Sequence, residues 1–229
     1  MFNYSKFADK CRDELPLKEA TSNYKVTVNF LPICILDAVF SIGVNYRSVV
    51  NVVNRYIDYF HIDFKRESGG QKEHTVDEFI TNIESVGGPV ILATDILKNR
   101  QRTSTSNGVL KAEACYMFAK LLHDLKINTL KDFFAFKDKD YLDYKIKSLP
   151  GQSSGIMLNY FYMLAGDTTR VKEDRWVFRF VQEAIPEVKT LKDVDDVFQH
   201  AVEILKEEYP NITISLLDNV IWTYMSKFK

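Results

Sequence analysis

The 229-residue chain is poor in the residues that interrupt regular structure, with 9 glycines and 6 prolines. That scarcity excludes a collagen-like or low-complexity chain, and 46% apolar with 27% charged residues excludes a disordered one. Cysteine is scarce too. Cys11, Cys34 and Cys115 are an odd set at wide spacing, which fits neither a disulfide framework nor a zinc site and reads as reduced thiols in a cytoplasmic protein. Charge of one sign is missing as well: 30 Lys and Arg oppose 31 Asp and Glu, for a formal net charge of -1. No global positive field draws the chain to nucleic acid or acidic membrane, so any DNA affinity has to come from local patches. No apolar run is long enough to span a bilayer, the longest, residues 30–44, being broken by Pro32, Asp37, Ser41 and Gly43. The first twenty residues hold acids and no continuous apolar stretch, so no secretory signal is expected.

What is present is helical periodicity. Apolar residues recur at three-and-four spacing and clean period-two alternation is scarce, so the pattern predicts an all-α protein, one globular unit with two lobes at about 150 residues per domain. Val49, Val52, Val53, Tyr56, Ile57 and Phe60 make one amphipathic stripe. Thr75, with Glu78 three residues on, caps a second helix that stops at Gly87-Gly88-Pro89, and Val90–Leu97 reads as a further short helix. Residues 98–108 are polar, aperiodic and end in glycine, hence a loop, and they carry three bases and no acid. Leu110 to Leu125, then Thr129 to Phe134 behind a threonine cap, then Tyr141 to Ile146 continue the helical pattern. Residues 156–165, about 174–184, 191–208 and 215–227 complete it.

One segment is specific. Ile146-Lys-Ser-Leu-Pro-Gly-Gln-Ser-Ser-Gly155 leads into the apolar stretch Ile156 to Ala165, and Arg170-Val-Lys-Glu-Asp174-Arg-Trp-Val-Phe-Arg179 follows. This arrangement resembles the helix-hairpin-helix and aspartate segment of the DNA glycosylase superfamily that contains endonuclease III and the adenine glycosylases. The likeness extends over most of residues 30–180 through Lys111-Ala-Glu113 and the helices from Phe30 to Ser41 and Tyr46 to Phe60. It implies two helical lobes with a cleft between them, residues 30–165 with the hairpin at about 140–165, and residues 1–29 together with 166–229.

On that resemblance Asp174 is the catalytic aspartate. Breaking an N-glycosidic bond develops positive charge on the sugar, and a carboxylate beside the anomeric carbon stabilises that charge and accepts a proton from attacking water. Gly151, Ser153 and Gly155 would present backbone N–H groups to a DNA phosphate, directly or through a monovalent cation. Lys98, Arg100, Arg102 and Lys111 form one group of expected phosphate contacts, and Arg170, Lys172 and Arg175, with Arg179, form another around Asp174. Asn45, Tyr46 and Arg47 occupy the place where relatives fill the gap left by a flipped base, with Tyr46 as the stacking wedge. Each of these residues also has a plain structural reading as a helix-start acid, a turn, a solvated charge or a core tyrosine.

The departures from the family pattern are informative. Gly155 stands where bifunctional members carry their lysine nucleophile, so lysine-dependent lyase chemistry is not expected. Ser153 replaces the second hairpin glycine, and Gly43 falls near the position of the inserted glutamine. Three scattered thiols cannot build the iron-sulfur cluster of some relatives. The resulting expectation is a monomeric, monofunctional DNA glycosylase without a resident cofactor, acting on double-stranded DNA with a modified base, in repair or in defence against modified phage DNA. The rival is a catalytically silent module that keeps the hairpin and binds DNA or a protein partner.

Overall fold

The computed structural model describes residues 2–22, 30–63, 73–170 and 175–227, and its regular elements are all helical. In chain order they are α1 (Tyr4–Glu14), α2 (Leu17–Ser22), α3 (Leu31–Phe40), α4 (Tyr46–Tyr59), α5 (Val76–Ser85), α6 (Pro89–Ile91), α7 (Lys111–Asp124), α8 (Leu130–Ala135), α9 (Lys139–Lys147), α10 (Ile156–Ala165), α11 (Arg175–Ala184), α12 (Leu191–Leu205) and α13 (Ile214–Ser226). Local chemistry sets many of their ends. Thr75, Thr129 and Thr190 each open a helix with a reciprocal capping box, to Glu78, Asp132 and Asp193 in turn, so orphan amides at these starts are satisfied by side chains close in sequence. The chain divides into two compact units, residues 27–165 and residues 1–26 with 166–229.

The unit of residues 27–165 is built around α3, whose ten residues are all buried. α3 packs against α4, α7 and α10, and α7 packs against α5. Phe161 of α10 joins the layers, its ring centroid 4.8 Å from that of Phe118 on α7 and 5.3 Å from that of Phe133 on α8. Each such ring removed from water contributes about 1.5–3 kcal/mol, more with edge-to-face geometry. The other unit joins the chain's two ends. α1 packs on α11 and α12, and α11 on α13, with the Phe7 ring 6.1 Å from Phe180 and 5.7 Å from Phe198.

One predicted helix differs from expectation. Residues 90–97 are not a plain α-helix: after α6 the chain widens into a π turn at Leu92–Ile96, closed by Leu97 N donating to Leu92 O at 2.8 Å. Lys98 then takes φ +48, which ends the turn, and Arg55 Nη1 donates to the Leu97 carbonyl at 2.7 Å. Residues 98–110 form a loop, closed at its base by an isolated antiparallel bridge between Arg102 and Leu110. No named strand occurs among the described residues.

Candidate functional site

The hairpin consists of α9, a turn and α10. Gln152 N donates to Leu149 O at 3.1 Å and Gly155 N to Gln152 O at 3.3 Å, two tight reversals that place Gly151 at φ +77 and Gly155 at φ +81. Glycine is the residue that takes such angles without steric cost. The amides of Gly151, Ser153 and Ser154 make no hydrogen bond among the described residues, and the first bond into α10 is Asn159 N to Gly155 O at 3.0 Å. The amides of residues 156–158 are therefore left over at the start of α10, beside the exposed Ser153 and Ser154. A row of unspent donors at a helix N-terminus suits an anion. Lys147, at the end of α9, reaches the same place: its Nζ lies 3.8 Å from the position a Cβ on Gly155 would take.

The loop of residues 98–110 packs against this turn through Thr103, which meets Gly151. Thr103 N donates to Val109 O at 2.9 Å and Arg102 Nη1 to Gly108 O at 2.7 Å. Lys98, Arg100 and Arg102 are exposed on it, and Lys98 and Arg100 make no ion pair among the described residues. These three bases and the hairpin share one unit of the chain.

Lys111 does not belong with them, which corrects its expected role as a phosphate contact. It is 2% exposed, and its Nζ donates to Phe40 O at 3.1 Å and Ile42 O at 2.7 Å. The ammonium closes the carbonyl end of α3, and burial lowers its pKa to about 8.

Asn45, Tyr46 and Arg47 open α4. Asn45 caps it, its Oδ1 accepting from Arg47 N at 2.9 Å, and Arg47 is exposed. Tyr46, 38% exposed, turns its hydroxyl back to Asp37 Oδ2 at 3.4 Å, and Tyr160 of α10 donates to Asp37 Oδ1 at 3.0 Å. Asp37 is 9% exposed and Tyr160 is half-buried. Burial, then the charge of Asp37 and the neighbouring Tyr46, push the Tyr160 phenol far above its ordinary range, so it keeps its proton and serves as a donor. Sequence reasoning passed over Asp37 and Tyr160, although a lone carboxylate inside Leu31–Phe40 was the available signal.

In the other unit, Arg170 pairs with Asp167 at 3.6 Å, the Arg175 guanidinium lies 5.1 Å from the Trp176 ring, and Arg179 pairs with Glu183 at 3.4 Å. Asp174 and Lys172 lie outside the described residues. The described residues thus define an all-helical protein whose larger unit carries a glycine-turned helical hairpin and a basic loop clamped to it. The chain belongs to the DUF8548 family, a domain of unknown function, whose model matches residues 5–226. No curated protein and no solved structure matches it.

Proposed function

We propose that the protein is a monofunctional DNA glycosylase, which extrudes a damaged or modified base from duplex DNA and hydrolyses the bond joining it to deoxyribose. The observation that carries this reading is the hairpin, where the amides of residues 153–154 and 156–158 are unspent, Lys147 lies against Gly155, and the loop carrying Lys98, Arg100 and Arg102 meets Gly151 through Thr103. Donors so arranged bind a backbone phosphate without reading sequence. Asp174 stabilises the charge that develops on the sugar, and water is the nucleophile, since Gly155 offers no amine. No resident cofactor enters this chemistry.

Abasic-site formation on duplexes bearing alkylated, deaminated, oxidised and phage-type modified bases tests the proposal, with wild type and Asp174→Asn compared. Asparagine keeps the shape of aspartate and removes the anion, so base release falls by a factor on the order of 10² or more while DNA binding survives. Release at the wild-type rate by Asp174→Asn removes this residue from the mechanism. DNA binding by wild type with no base released from any duplex makes the protein a silent binding module.

A further inference from the structure

The outer face of α9 carries two aromatic rings that the packing of its unit does not use. Leu142 and Ile146 turn inward and are fully buried, while Tyr141 and Tyr144, three residues apart, are 44% and 68% exposed. Side chains at this spacing are neighbours on a helix surface. Lys145 Nζ lies 5.7 Å from the centroid of the Tyr141 ring. The Tyr144 ring makes no aromatic contact, and its hydroxyl no hydrogen bond, among the described residues. One turn further on, Ser148 donates to the Tyr144 carbonyl through its amide at 3.1 Å and its hydroxyl at 2.8 Å, and the Leu149-Pro150-Gly151 turn follows. Tyr141, Tyr144 and Ser148 thus make one exposed stripe that runs to the hairpin turn. Charge is graded along the same helix. Asp138 caps its start by accepting from Tyr141 N at 3.0 Å, Asp140 sits in the first turn, and Asp143 accepts from the Tyr162 hydroxyl at 2.7 Å. The last turn holds Lys145 and Lys147 and no acid, and neither lysine makes an ion pair among the described residues.

We propose that Tyr141 and Tyr144 are a stacking platform for unpaired nucleotides, and that DNA held at the hairpin continues along α9 as a single strand. This inference rests on the DNA reading above and names the form of the nucleic acid. Every base has a π face, so stacking on tyrosine holds an unpaired strand whatever its sequence, whereas bases inside a duplex are already stacked on one another. The strand brings phosphates as well as bases, and the lysines of the last turn meet the first while the tyrosines meet the second. An apolar protein face would cover the two rings but leave Lys145, Lys147 and the unspent amides of the turn without an anion. A nucleic acid strand satisfies both.

The test is fluorescence-anisotropy binding of the full chain to three labelled probes: a thymidine strand of about 12 nucleotides, an abasic strand of the same length that keeps the sugar–phosphate backbone without bases, and a duplex. Wild type should bind the thymidine strand about tenfold tighter than the abasic one, or more. Tyr144→Ala should lose about tenfold in affinity for the thymidine strand and less than about twofold for the other two probes, and Tyr144→Phe, which keeps a ring, should stay within about twofold of wild type on all three. Replacing Tyr141 and Tyr144 together by alanine should abolish the preference for bases. An equal loss on all three probes would give Tyr144 a structural role and overturn the inference, and a preference that survives in the double variant would place the stacking elsewhere and overturn it too. Equal binding of the thymidine and abasic strands by wild type, with the duplex bound, overturns it and leaves the DNA reading standing. Binding of no probe overturns both. Sedimentation of wild type as a dimer that Tyr144→Ala dissolves makes the stripe a contact between copies of this chain instead.

Discussion

Thr103 occupies the space that a side chain on Gly151 would need: a Cβ built there would lie 2.5 Å from Thr103 Cβ and 3.3 Å from the Thr103 carbonyl oxygen. The basic loop and the hairpin turn are thus fitted to one another at a bare α-carbon. The unspent amides of the turn and the exposed bases of the loop keep a common frame because of that contact.

Gly151→Ala should be destabilised by about 2–4 kcal/mol, from the strain of a φ of +77 and from overpacking against Thr103. Denaturant titration measures it. Adding Thr103→Gly removes the side-chain contact and leaves the angle and the approach to the residue 103 carbonyl, so the double variant should recover part of the loss and no more. Full recovery would show that backbone strain at Gly151 is negligible.

Lys111 sets a pH dependence. Its folded-state pKa is about 8 against an ordinary value of 10.5, so between these values the unfolded chain binds more protons than the folded one, and this residue's contribution to stability rises with pH. Relative to Lys111→Met, wild type should gain about 2 kcal/mol between pH 7.5 and 9.5. The Cys11 thiol, pushed up by burial, acts in the opposite direction but is common to both proteins and cancels in the difference, whereas the buried Cys115 thiol interacts with Lys111, so the comparison is made with Cys115→Ala in both proteins. Lys111→Met should also be the less stable protein at pH 9.5, by about 1–3 kcal/mol, because the carbonyls of Phe40 and Ile42 lose their donor. A pH-independent difference would place the Lys111 titration outside this range.

Borohydride treatment during turnover should trap no covalent protein–DNA adduct, and strand breaks should appear only after alkali or heat. Among the described residues the amine nearest the bare Gly155 is that of Lys147, with Nζ 3.8 Å from the Cβ position. An adduct that vanishes in Lys147→Ala would show that this lysine forms the imine and that the enzyme is bifunctional.

DNA affinity should fall steeply with salt although the chain's net charge is -1, because Lys98, Arg100 and Arg102 are gathered on one exposed loop. Charge reversal of Arg100 and Arg102 together should weaken binding to all duplexes alike and lower the slope of log affinity against log salt by about 2. An unchanged slope would move the phosphate contacts elsewhere.

Much of the fold was legible in the chain because its determinants are local. The capping box of Thr75 with Glu78 spans three residues, and the glycines at 87 and 88 stop α5 by taking φ +95 and +99. The loop at 98–108 was recognisable from composition, but the π turn that launches it was not, since one extra residue in a turn hardly disturbs the apolar spacing. The hairpin's Leu-Pro-Gly turn was visible too, and only the backbone geometry showed which of its amides are left without partners.

Site residues divide along the same line. Lys98, Arg100 and Arg102 as exposed bases of a polar loop depend on neighbours a few residues away, so the sequence by itself determined them, whereas Asn45, expected at the gap of a flipped base, proved to cap α4. Lys111 looked like one more base of the same patch, and Asp37 like an interruption in an apolar run. Their roles were decided by contacts that only folding creates: Lys111 with Ile42, 69 residues apart, and Asp37 with Tyr160, 123 apart. A charged side chain's function depends on what it is buried against, and burial is a property of helices brought together across the chain, which no local spacing encodes.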